Sequence, residues 1–477
     1  MDNLPEEIIG IIVSLLPEGP LTRLAPLATL SARWQRAIER RTFSRIFIES
    51  KDEDMESFAR IVTPVRRAYL RFLNFIVVPL NESDVKPRNT QEQHFNEAFT
   101  GAVHRLFQLL ADGKSSDVDE ETITRGLTLE IGEIIDHGDK RRRLRHRVEL
   151  LHRGRQLPKV NCVSHLVVYR SSVDQGRWAA LRTAVDLAQQ LPYLRRIDII
   201  ANEMELTGTG GQADPKRLND REALAAAVVE SNFLSDLQHC RKVCLCLEEQ
   251  DPVLLRMHPR FVFPNCVNSL SYEVLGSAMR GWSHNLVSLD ISGVFDGSLF
   301  WPSEHESSST TMPASPWPRL KRFHAKLGIT TPAGLWYFIP RSEKGPRDTP
   351  CEDTMQPLFE SWAKALESTP VIEHASLLFR VELETPDFGS ETSVENWVVG
   401  FHASGTSYDP TQSCWEFTGL GHYGADYSQH PRLIFKNTNS WRPQKLVMDK
   451  LHALGDRFPG REMVDLEVDI LNSATET

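Results

Sequence analysis

The sequence predicts a mixed α/β protein in which a short, all-helical N-terminal unit precedes a long region of alternating strands and helices. Segments with a helical period take turns with short segments of alternating apolar residues, and prolines stand between many of them. This alternation favours a parallel sheet with helices along one side. The N-terminal unit stands apart because its apolar residues are dense and its last segment is basic.

The first helix is predicted to begin near Pro5. Asn3 and Glu6 stand three residues apart, as in a capping box, and Pro5 suits the first turn, where its missing N–H costs nothing. Proline and glycine at residues 17–20 end the helix. Its apolar positions are Ile8, Ile9, Ile12, Leu15 and Leu16.

Two further helical segments complete this unit. The second is interrupted by Pro26, and the third spans about residues 29–41. Their apolar positions are Leu21, Leu24, Leu27, Leu30, Trp34 and Ile38. A helical unit of under roughly 50 residues forms only a marginal core by itself. The surplus of apolar side chains therefore predicts a docking partner.

These residues resemble the F-box, the adaptor-binding module of cullin-based ubiquitin ligases. The family pattern is a Leu-Pro-x-Glu start, an apolar helix, a short Leu-rich segment and a basic helix with an Arg-Trp core, here Arg33-Trp34. The form Leu-Ala-Pro-x-Ala-Thr-x-Ser-x-x-Trp at residues 24–34 is similar to the variant common in filamentous-fungal F-box proteins. The chain departs from the general pattern at Pro26 and at Ser31, where many members carry Cys.

The resemblance implies that residues 1–48 bind an SKP-type adaptor and, through it, a cullin. The implied adaptor-binding residues are Leu4, Pro5, Ile8, Ile12, Leu15, Leu16, Leu24, Leu27 and Trp34. The chain would then be the substrate-recognition subunit of an SKP-cullin-F-box ubiquitin ligase and hold an unknown target protein. An alternative stays open, in which it is a scaffold with no part in ubiquitin transfer. A solenoid enzyme is a more distant alternative.

Strands and helices are predicted to alternate from residue 45 onward. Strands are expected at residues 45–48, 66–78, 127–131, 194–200, 243–247, 267–272, 286–291, 320–323 and 371–379. Helices are expected around Met55, between Gln91 and Leu110, from Trp178 to Leu191, and from Leu358 to Leu366. Residues 285–291 and 319–323 carry a fragment of the Leu-x-x-Leu-x-Leu pattern of leucine-rich repeats.

We therefore predict an irregular leucine-rich-repeat-like α/β solenoid over residues 49–385, with a concave sheet face as its binding surface. The alternative is an α/β domain of several layers, in which strands are buried on both faces. A one-residue slip in register exchanges the two faces of a strand. Alternation alone therefore does not decide which set of alternate residues faces outward. The candidates for the outward set are His165, Val167, Tyr169, Arg196, Asp198 and Ile200.

The remaining segments are predicted as loops and a C-terminal cap. Polar residues at 303–318 and 341–350 indicate exposed loops, and the aromatic run 331–338 between them is interpreted as a core plug rather than a pocket. From about Pro386, strands near Trp397, Trp415 and Ile434, a helix at 443–454 and a strand at 464–470 indicate a small α+β cap. The predicted domains are thus 1–48, 49–385 and 386–477.

Composition restricts the class of protein. The formal net charge of −10 over 477 residues argues against nucleic acid as a partner. No apolar run approaches the length of a membrane span, so no membrane partner is expected. The seven cysteines are scattered behind no secretory signal and are expected as reduced thiols. The chain is therefore expected in the cytoplasm, the nucleus or both.

Three motifs resemble sites for a cofactor, a metal or a partner. Residues 419–424 match the Gly-x-Gly-x-x-Gly dinucleotide fingerprint, but no helical period follows, so a glycine-rich hairpin is favoured. Cys240, Cys244 and Cys246 lack a second pair of ligands for zinc and suit a core strand. The basic run 140–147 is favoured as a solvated segment, with a nuclear-import signal or an acidic-partner site as alternatives. We expect no cofactor, no metal, no catalytic residues and no enzyme.

Overall fold

The computed structural model describes residues 4–17, 24–78, 88–111, 126–135, 147–169, 176–203, 215–230, 237–248, 266–267, 273–302, 316–341, 345–384, 392–406 and 427–468. Contacts between Cα atoms divide the chain into two compact units, Met1–Asp198 and Ile199–Thr477. Both units alternate helices with mostly parallel strands, which confirms the mixed α/β class. The predicted domain ends at residues 48 and 385 stay a prediction.

Unit 1 begins with three helices and continues into a parallel sheet. Its helices are α1 (Glu6–Leu15), α2 (Ala25–Ala28), α3 (Ala32–Thr42), α4 (Asp52–Ile61), α5 (Pro64–Arg67), α6 (Arg88–Ala111) and α7 (Leu181–Ala188). Its strands are β1 (Arg45–Glu49), β2 (Phe72–Val77), β3 (Leu127–Ile135), β4 (Arg147–Val148), β5 (Val163–Val168) and β6 (Gly176–Ala179), and β7 (Arg196–Asn202) crosses the unit boundary.

Strands β1, β2, β3 and β5 of unit 1 lie side by side and parallel. Along β2 the side chains alternate between half-buried and buried, with Leu73, Phe75 and Val77 inside. The same parity is buried in β3 and β5. One face of this part of the sheet is therefore covered and the other is open, as the alternating pattern predicts.

Unit 2 contains helices α8 (Pro215–Val229), α9 (Val274–Ser283), α10 (Glu352–Ser368) and α11 (Lys445–Ala453). Its strands are β8 (Lys242–Glu248), β9 (Ser288–Gly293), β10 (Arg322–Leu327), β11 (Phe338–Pro340), β12 (Arg347–Pro350), β13 (His374–Glu384), β14 (Thr392–His402), β15 (Arg432–Lys436) and β16 (Val464–Val468).

The sheet of unit 2 is parallel from β8 through β9 and β10 to β13. Strand β14 then runs antiparallel between β13 and β15, and β16 is parallel to β15. Every residue of β9 and β15 is buried. These two strands are covered on both faces, which is the property expected of a layered α/β domain.

The aromatic run at residues 331–338 contributes to the core of unit 2, as interpreted from the sequence. Tyr337 and Phe338 are buried, and the Phe338 ring packs edge-on against Phe379 at 5.2 Å and Trp397 at 5.6 Å between centroids. The hydroxyl of Tyr337 donates a hydrogen bond to the Phe295 carbonyl at 2.9 Å. Aromatic packing thus accounts for this run without a pocket.

Two predictions about the N-terminal helices are wrong. Helix α1 begins at Glu6 with Pro5 at its N-cap, where no side chain caps the helix, so Pro5 precedes the first turn. Asn3 lies outside the described residues, as does Leu21. Pro26 does not break the second helix, because it occupies the first turn of α2, where proline needs no N–H.

Other element boundaries also differ from the predictions. Residues 64–67 form a helical turn before β2, because Thr63 caps it and Pro64 suits its first position. Trp178 lies in β6, so the predicted helix begins at Leu181. Residues 268–272 and Trp415 lie outside the described part of the chain.

The two predicted loops contain ordered structure. Residues 338–340 and 347–350 pair as the antiparallel strands β11 and β12, supported by an ion pair between Arg341 and the buried Asp348 at 3.2 Å. Residues 303–315 lie outside the described residues, but Trp317 is fully buried and stacks on Phe323 with centroids 4.8 Å apart. Burial of this indole therefore fixes the end of the predicted loop in the core.

Candidate functional site

The N-terminal helices of unit 1 form a small core of their own. Two α1 residues, Ile9 and Val13, are buried against Trp34, Ala37 and Ile38 of α3. Half-buried residues pack around them: Leu4, Ile12, Leu24, Leu27 and Ala28. The α3 helix starts where it does because the Ser31 side chain accepts a hydrogen bond from Trp34 N at 3.5 Å.

Polar contacts tie α1 to α3 around this core. Glu6 accepts hydrogen bonds from Arg36 at 3.2 Å and from Arg40 at 3.3 Å. The Arg41 guanidinium donates to the Val13 carbonyl and to the Leu16 carbonyl, the latter at 2.7 Å. Arg41 thereby gives the Leu16 carbonyl a donor at the C-terminal end of α1 and gives the Val13 carbonyl a second donor beside Leu16 N. These ties set the orientation of α1 on α3.

The outer side of α1 carries an exposed apolar stripe. Ile8, Ile11 and Leu15 follow at spacings of three and four residues and share one side of the helix. Their exposed fractions are 42%, 55% and 78%. Leu30, in the turn before α3, is 48% exposed. An exposed group of large aliphatic side chains on a small helical unit is typical of a protein-binding surface.

The structure distributes the predicted adaptor-binding residues over three environments. Pro5, Ile8 and Leu15 are exposed, and Trp34 is buried. Half-buried positions are Leu4, Ile12, Leu16, Leu24 and Leu27. Sequence reasoning missed Ile11, which the three- and four-residue spacing could have identified. The sequence also predicted a third helix from about residue 29 with Leu30 on the same face as Trp34, but Leu30 precedes the capped start of α3 and is exposed.

A second candidate surface is the open face of the unit 1 sheet. It is formed by alternate residues of β1, β2, β3 and β5 and by the first residues of β7, and is called the open sheet face below. Its parity is the one that contains His165, Val167, Tyr169, Arg196 and Asp198, because Leu166, Val168 and Ile197 are buried on the other side. Tertiary packing therefore decides the parity that the sequence left open.

Hydrogen bonds join polar side chains of this face in two groups. Asp198 is buried and accepts hydrogen bonds from Arg196 Nε at 2.9 Å and from His165 Nε2 at 2.9 Å. Burial opposes ionisation of Asp198, but the His165 and Arg196 contacts outweigh it and lower its pKa. On the neighbouring strands, the Asn74 amide donates to Glu130 Oε1 at 2.6 Å.

Aromatic side chains lie at the β1 end of the open sheet face. Phe47 is 65% exposed, and its ring centroid lies 6.0 Å from that of Phe72. The Arg45 guanidinium carbon lies 5.0 Å from the Phe72 centroid, a cation–π distance. An exposed phenylalanine beside a guanidinium and a carboxylate–amide pair is suited to binding an extended protein segment.

Unit 2 holds a buried ionic network. Arg221 is fully buried, and its guanidinium donates to Glu203 Oε1 at 2.8 Å, to Glu273 Oε1 at 3.2 Å and to the Val294 carbonyl at 2.8 Å. Burial opposes ionisation of Glu203, but the charges of Arg217 and Arg221 outweigh it and lower its pKa to about 2. Burial raises the pKa of Glu273 to about 7, although Arg221 partly offsets this. The network joins α8 to the start of α9, which indicates a structural role.

The chemical motifs considered from the sequence yield no site in the described structure. Cys244 and Cys246 are buried in β8, as core residues are. Among the residues that the structure describes, no three His, Cys, Asp or Glu side chains gather so as to hold a metal ion. Residues 419–424 and 136–146 lie outside the described residues.

No helix within the described ranges combines the length and the apolar composition needed to cross a bilayer.

No protein-family model matches this chain, and comparison with curated proteins gives no significant match.

Proposed function

We propose that this chain is the substrate-recognition subunit of an SKP-cullin-F-box ubiquitin ligase, with residues 1–48 as its F-box. The observation that carries the proposal is the exposed apolar stripe of Ile8, Ile11 and Leu15 on a helical unit with its own core. The order of the Leu-Pro-x-Glu start and the Arg33-Trp34 segment supports the same assignment.

The stripe has the energetic character of a docking surface. Complete burial of a Leu or Ile side chain contributes about 1.5–3 kcal/mol, so three such residues left in water represent a substantial unused driving force. Their aliphatic side chains project from a helix that Glu6 and Arg41 hold against α3. A partner with a matching apolar groove would bury the stripe without rearranging the unit.

In this proposal the role of the chain is positional. The adaptor and cullin bring the ubiquitin-conjugating enzyme, and an irregular leucine-rich-repeat-like region over residues 49–385 holds the target protein. Tethering raises the effective concentration of target lysines near the enzyme, so the chain itself needs no catalytic residue. The proposal places the chain in the cytoplasm or the nucleus, where such ligases work.

Binding of a purified SKP-type adaptor to the full chain tests the assignment directly. We compare the wild type with the double variant Ile8→Ala, Leu15→Ala by calorimetry. The matched control is Leu335→Ala, Leu446→Ala, because these leucines are 59% and 66% exposed but lie in unit 2. The α1 variant is expected to lose adaptor affinity by well over tenfold, as anchors worth about 2 kcal/mol each would.

The control variant is expected to bind as the wild type does. Equal affinity of all three proteins, or no adaptor binding by the wild type, would contradict the F-box assignment. If the adaptor binds but no bound protein accumulates in cells on deletion of the chain, the scaffold alternative replaces the ligase function.

A further inference from the structure

Glu130 lies at the centre of the open sheet face. Its strand, β3, stands between β2 and β5, and its register partners are Asn74 on β2 and Val167 on β5. The row extends to β1, where Phe47 is the register partner of Asn74. Since adjacent strands lie about 4.8 Å apart, the backbones at Phe47 and Glu130 are about 10 Å apart. A single extended segment can contact both.

The carboxylate of Glu130 differs from the other acids of this face. Asp198 accepts from Arg196 and His165, and Glu49 has an ion pair with Lys51. Glu130 accepts one hydrogen bond, from the neutral Asn74 amide, and within the described ranges it has no ion pair. Burial raises its pKa, although the Asn74 contact and the more distant charges of Arg45 and His165 act in the opposite direction. A half-buried carboxylate without a cation is costly for the free protein.

Hydrogen-bond donors are scarce around this carboxylate. The Asn74 amide donates to Glu130 Oε1, and the Asn74 Oδ1 atom is buried and accepts no hydrogen bond from the residues that the structure describes. The Asn74–Glu130 pair therefore has a surplus of acceptor oxygens. A partner that completes it must supply donors and positive charge, which are the properties of a lysine ammonium or an arginine guanidinium.

The aromatic end of the face suits the same kind of partner. The guanidinium carbon of Arg45 already lies 5.0 Å from the centroid of the Phe72 ring, whereas the Phe47 side chain is 65% exposed. Phenyl rings bind both the aliphatic stem and the cationic head of basic side chains. Phe47 and Glu130 thus offer an apolar and an anionic contact in one row.

We propose that the open sheet face binds a basic segment of the target protein, with a Lys or Arg side chain paired to Glu130 and adjacent apolar groups on Phe47. The inference rests on the proposed function, because it names the chemistry of the target. It makes Glu130 a specificity-determining residue of the recognition surface.

The probe is a library of capped heptapeptides with a fixed central residue, Arg, Lys, Gln or Glu, and mixed flanking residues. The immobilised full chain is used for affinity selection, and enrichment is read by mass spectrometry. The wild type is expected to enrich the Arg and Lys sets by about tenfold over the Gln set, as a charge-assisted contact would. Glu130→Gln is expected to lose this preference, and Phe47→Ala to weaken binding of all sets.

The matched control is Glu53→Gln, which removes an exposed carboxylate of α4 outside the open sheet face. It is expected to keep the wild-type preference. Thermal unfolding adds an independent readout: Glu130→Gln should unfold at the same or a higher temperature, because the half-buried carboxylate has no ion pair among the described residues. Lower thermal stability of Glu130→Gln would instead assign Glu130 a structural role and overturn the proposal.

The proposal is also overturned if the wild type enriches no set, if it enriches the Glu set, or if Glu130→Gln keeps the basic preference. If the wild type self-associates and Glu130→Gln abolishes this self-association, the open sheet face binds a second copy of the chain and not a target segment. Adaptor binding is measured on the same proteins. A wild type that binds the adaptor but shows no basic selectivity refutes this surface alone, whereas a wild type that does not bind the adaptor refutes the proposed function.

Discussion

His374 on β13 and His402 on β14 face each other across the antiparallel pair, with their Nδ1 atoms 3.0 Å apart. Burial lowers the pKa of His374 to about 4 and that of His402 well below its ordinary value, and Arg322 and Arg432 add positive charge nearby. Both imidazoles are therefore neutral near pH 7, and one Nδ1–H donates to the other Nδ1. A proton on each ring would abolish this hydrogen bond.

The histidine pair predicts acid sensitivity of unit 2. A histidine whose pKa is lower in the folded state takes up a proton more readily after unfolding, so its contribution to stability is full above about pH 6.5. The free energy of unfolding should fall as the pH drops from there to about 4, the pKa of His374. The double variant His374→Asn, His402→Asn should show a smaller slope in urea titrations between these pH values.

The control for the histidine pair is His284→Asn, which changes an exposed histidine of the same unit. It should leave the slope unchanged. A double variant with the wild-type slope would mean that other groups cause the acid sensitivity.

The buried Arg221 predicts a large loss of stability on substitution. Arg221→Met removes the cation that Glu203 and Glu273 share, so that among the described residues Glu203 keeps only Arg217 and Glu273 keeps only backbone N–H donors. Breaking a buried ion pair in this way costs about 3–5 kcal/mol. Lys321→Met is the matched control, because Lys321 pairs with Glu373 at the surface of the same unit, where a pair contributes about 0–1 kcal/mol. Urea unfolding measures both.

A further substitution tests the mechanism of that loss. Glu273→Gln in the Arg221→Met background should restore part of the stability, since it neutralises the buried carboxylate whose ion pair with Arg221 is lost. Equal effects of Arg221→Met and Lys321→Met would show that the network does not stabilise the fold.

Substitutions of the adjacent α1 residues Ile8 and Ile9 are expected to affect different properties, adaptor binding and stability respectively. Ile9 is fully buried, so Ile9→Ala should destabilise the N-terminal helices by about 2–5 kcal/mol. Ile8 is 42% exposed, and Ile8→Ala should change stability by less than about 1 kcal/mol while weakening adaptor binding. Hydrogen exchange of α1 amides reports the first effect and calorimetry the second. Similar exchange rates in the two variants would contradict the observed division between core and surface.

Two positions on the open sheet face predict a similar contrast. Asp198→Lys places a cation beside Arg196 and His165 in a buried position, which should cost several kcal/mol. Tyr169 is 40% exposed, so Tyr169→Lys should stay within about 0.5 kcal/mol of the wild type. Thermal melts distinguish the two. A large loss for Tyr169→Lys would place its ring in a packed environment and not at an exposed position of the open sheet face.

Local patterns were sufficient for much of the fold. The helix predicted between Gln91 and Leu110 lies within Arg88–Ala111, and the strand predicted at 243–247 lies within Lys242–Glu248. The leucine, isoleucine and tryptophan content of the first residues likewise predicted an apolar surface beyond the needs of the unit. Periodicity succeeds in these cases because neighbours along a helix or strand share a face whatever surrounds them.

Tertiary structure decided the features that depend on distant residues. Three features depend on contacts between residues that are far apart in the sequence. They are the choice of the outward side of β5 and β7, the burial of Trp317, and the pairing of Arg221 with Glu273. The exposure of Ile11 beside the burial of Val13 depends on which side of α1 meets Trp34. Glu130 differs from Asp198 and Glu49 because those acids contact cationic side chains, whereas Glu130 accepts a hydrogen bond from the neutral Asn74 amide. Sequence alone thus determined many of the helices and strands, whereas long-range packing and charge pairing determined which side chains remain available for binding.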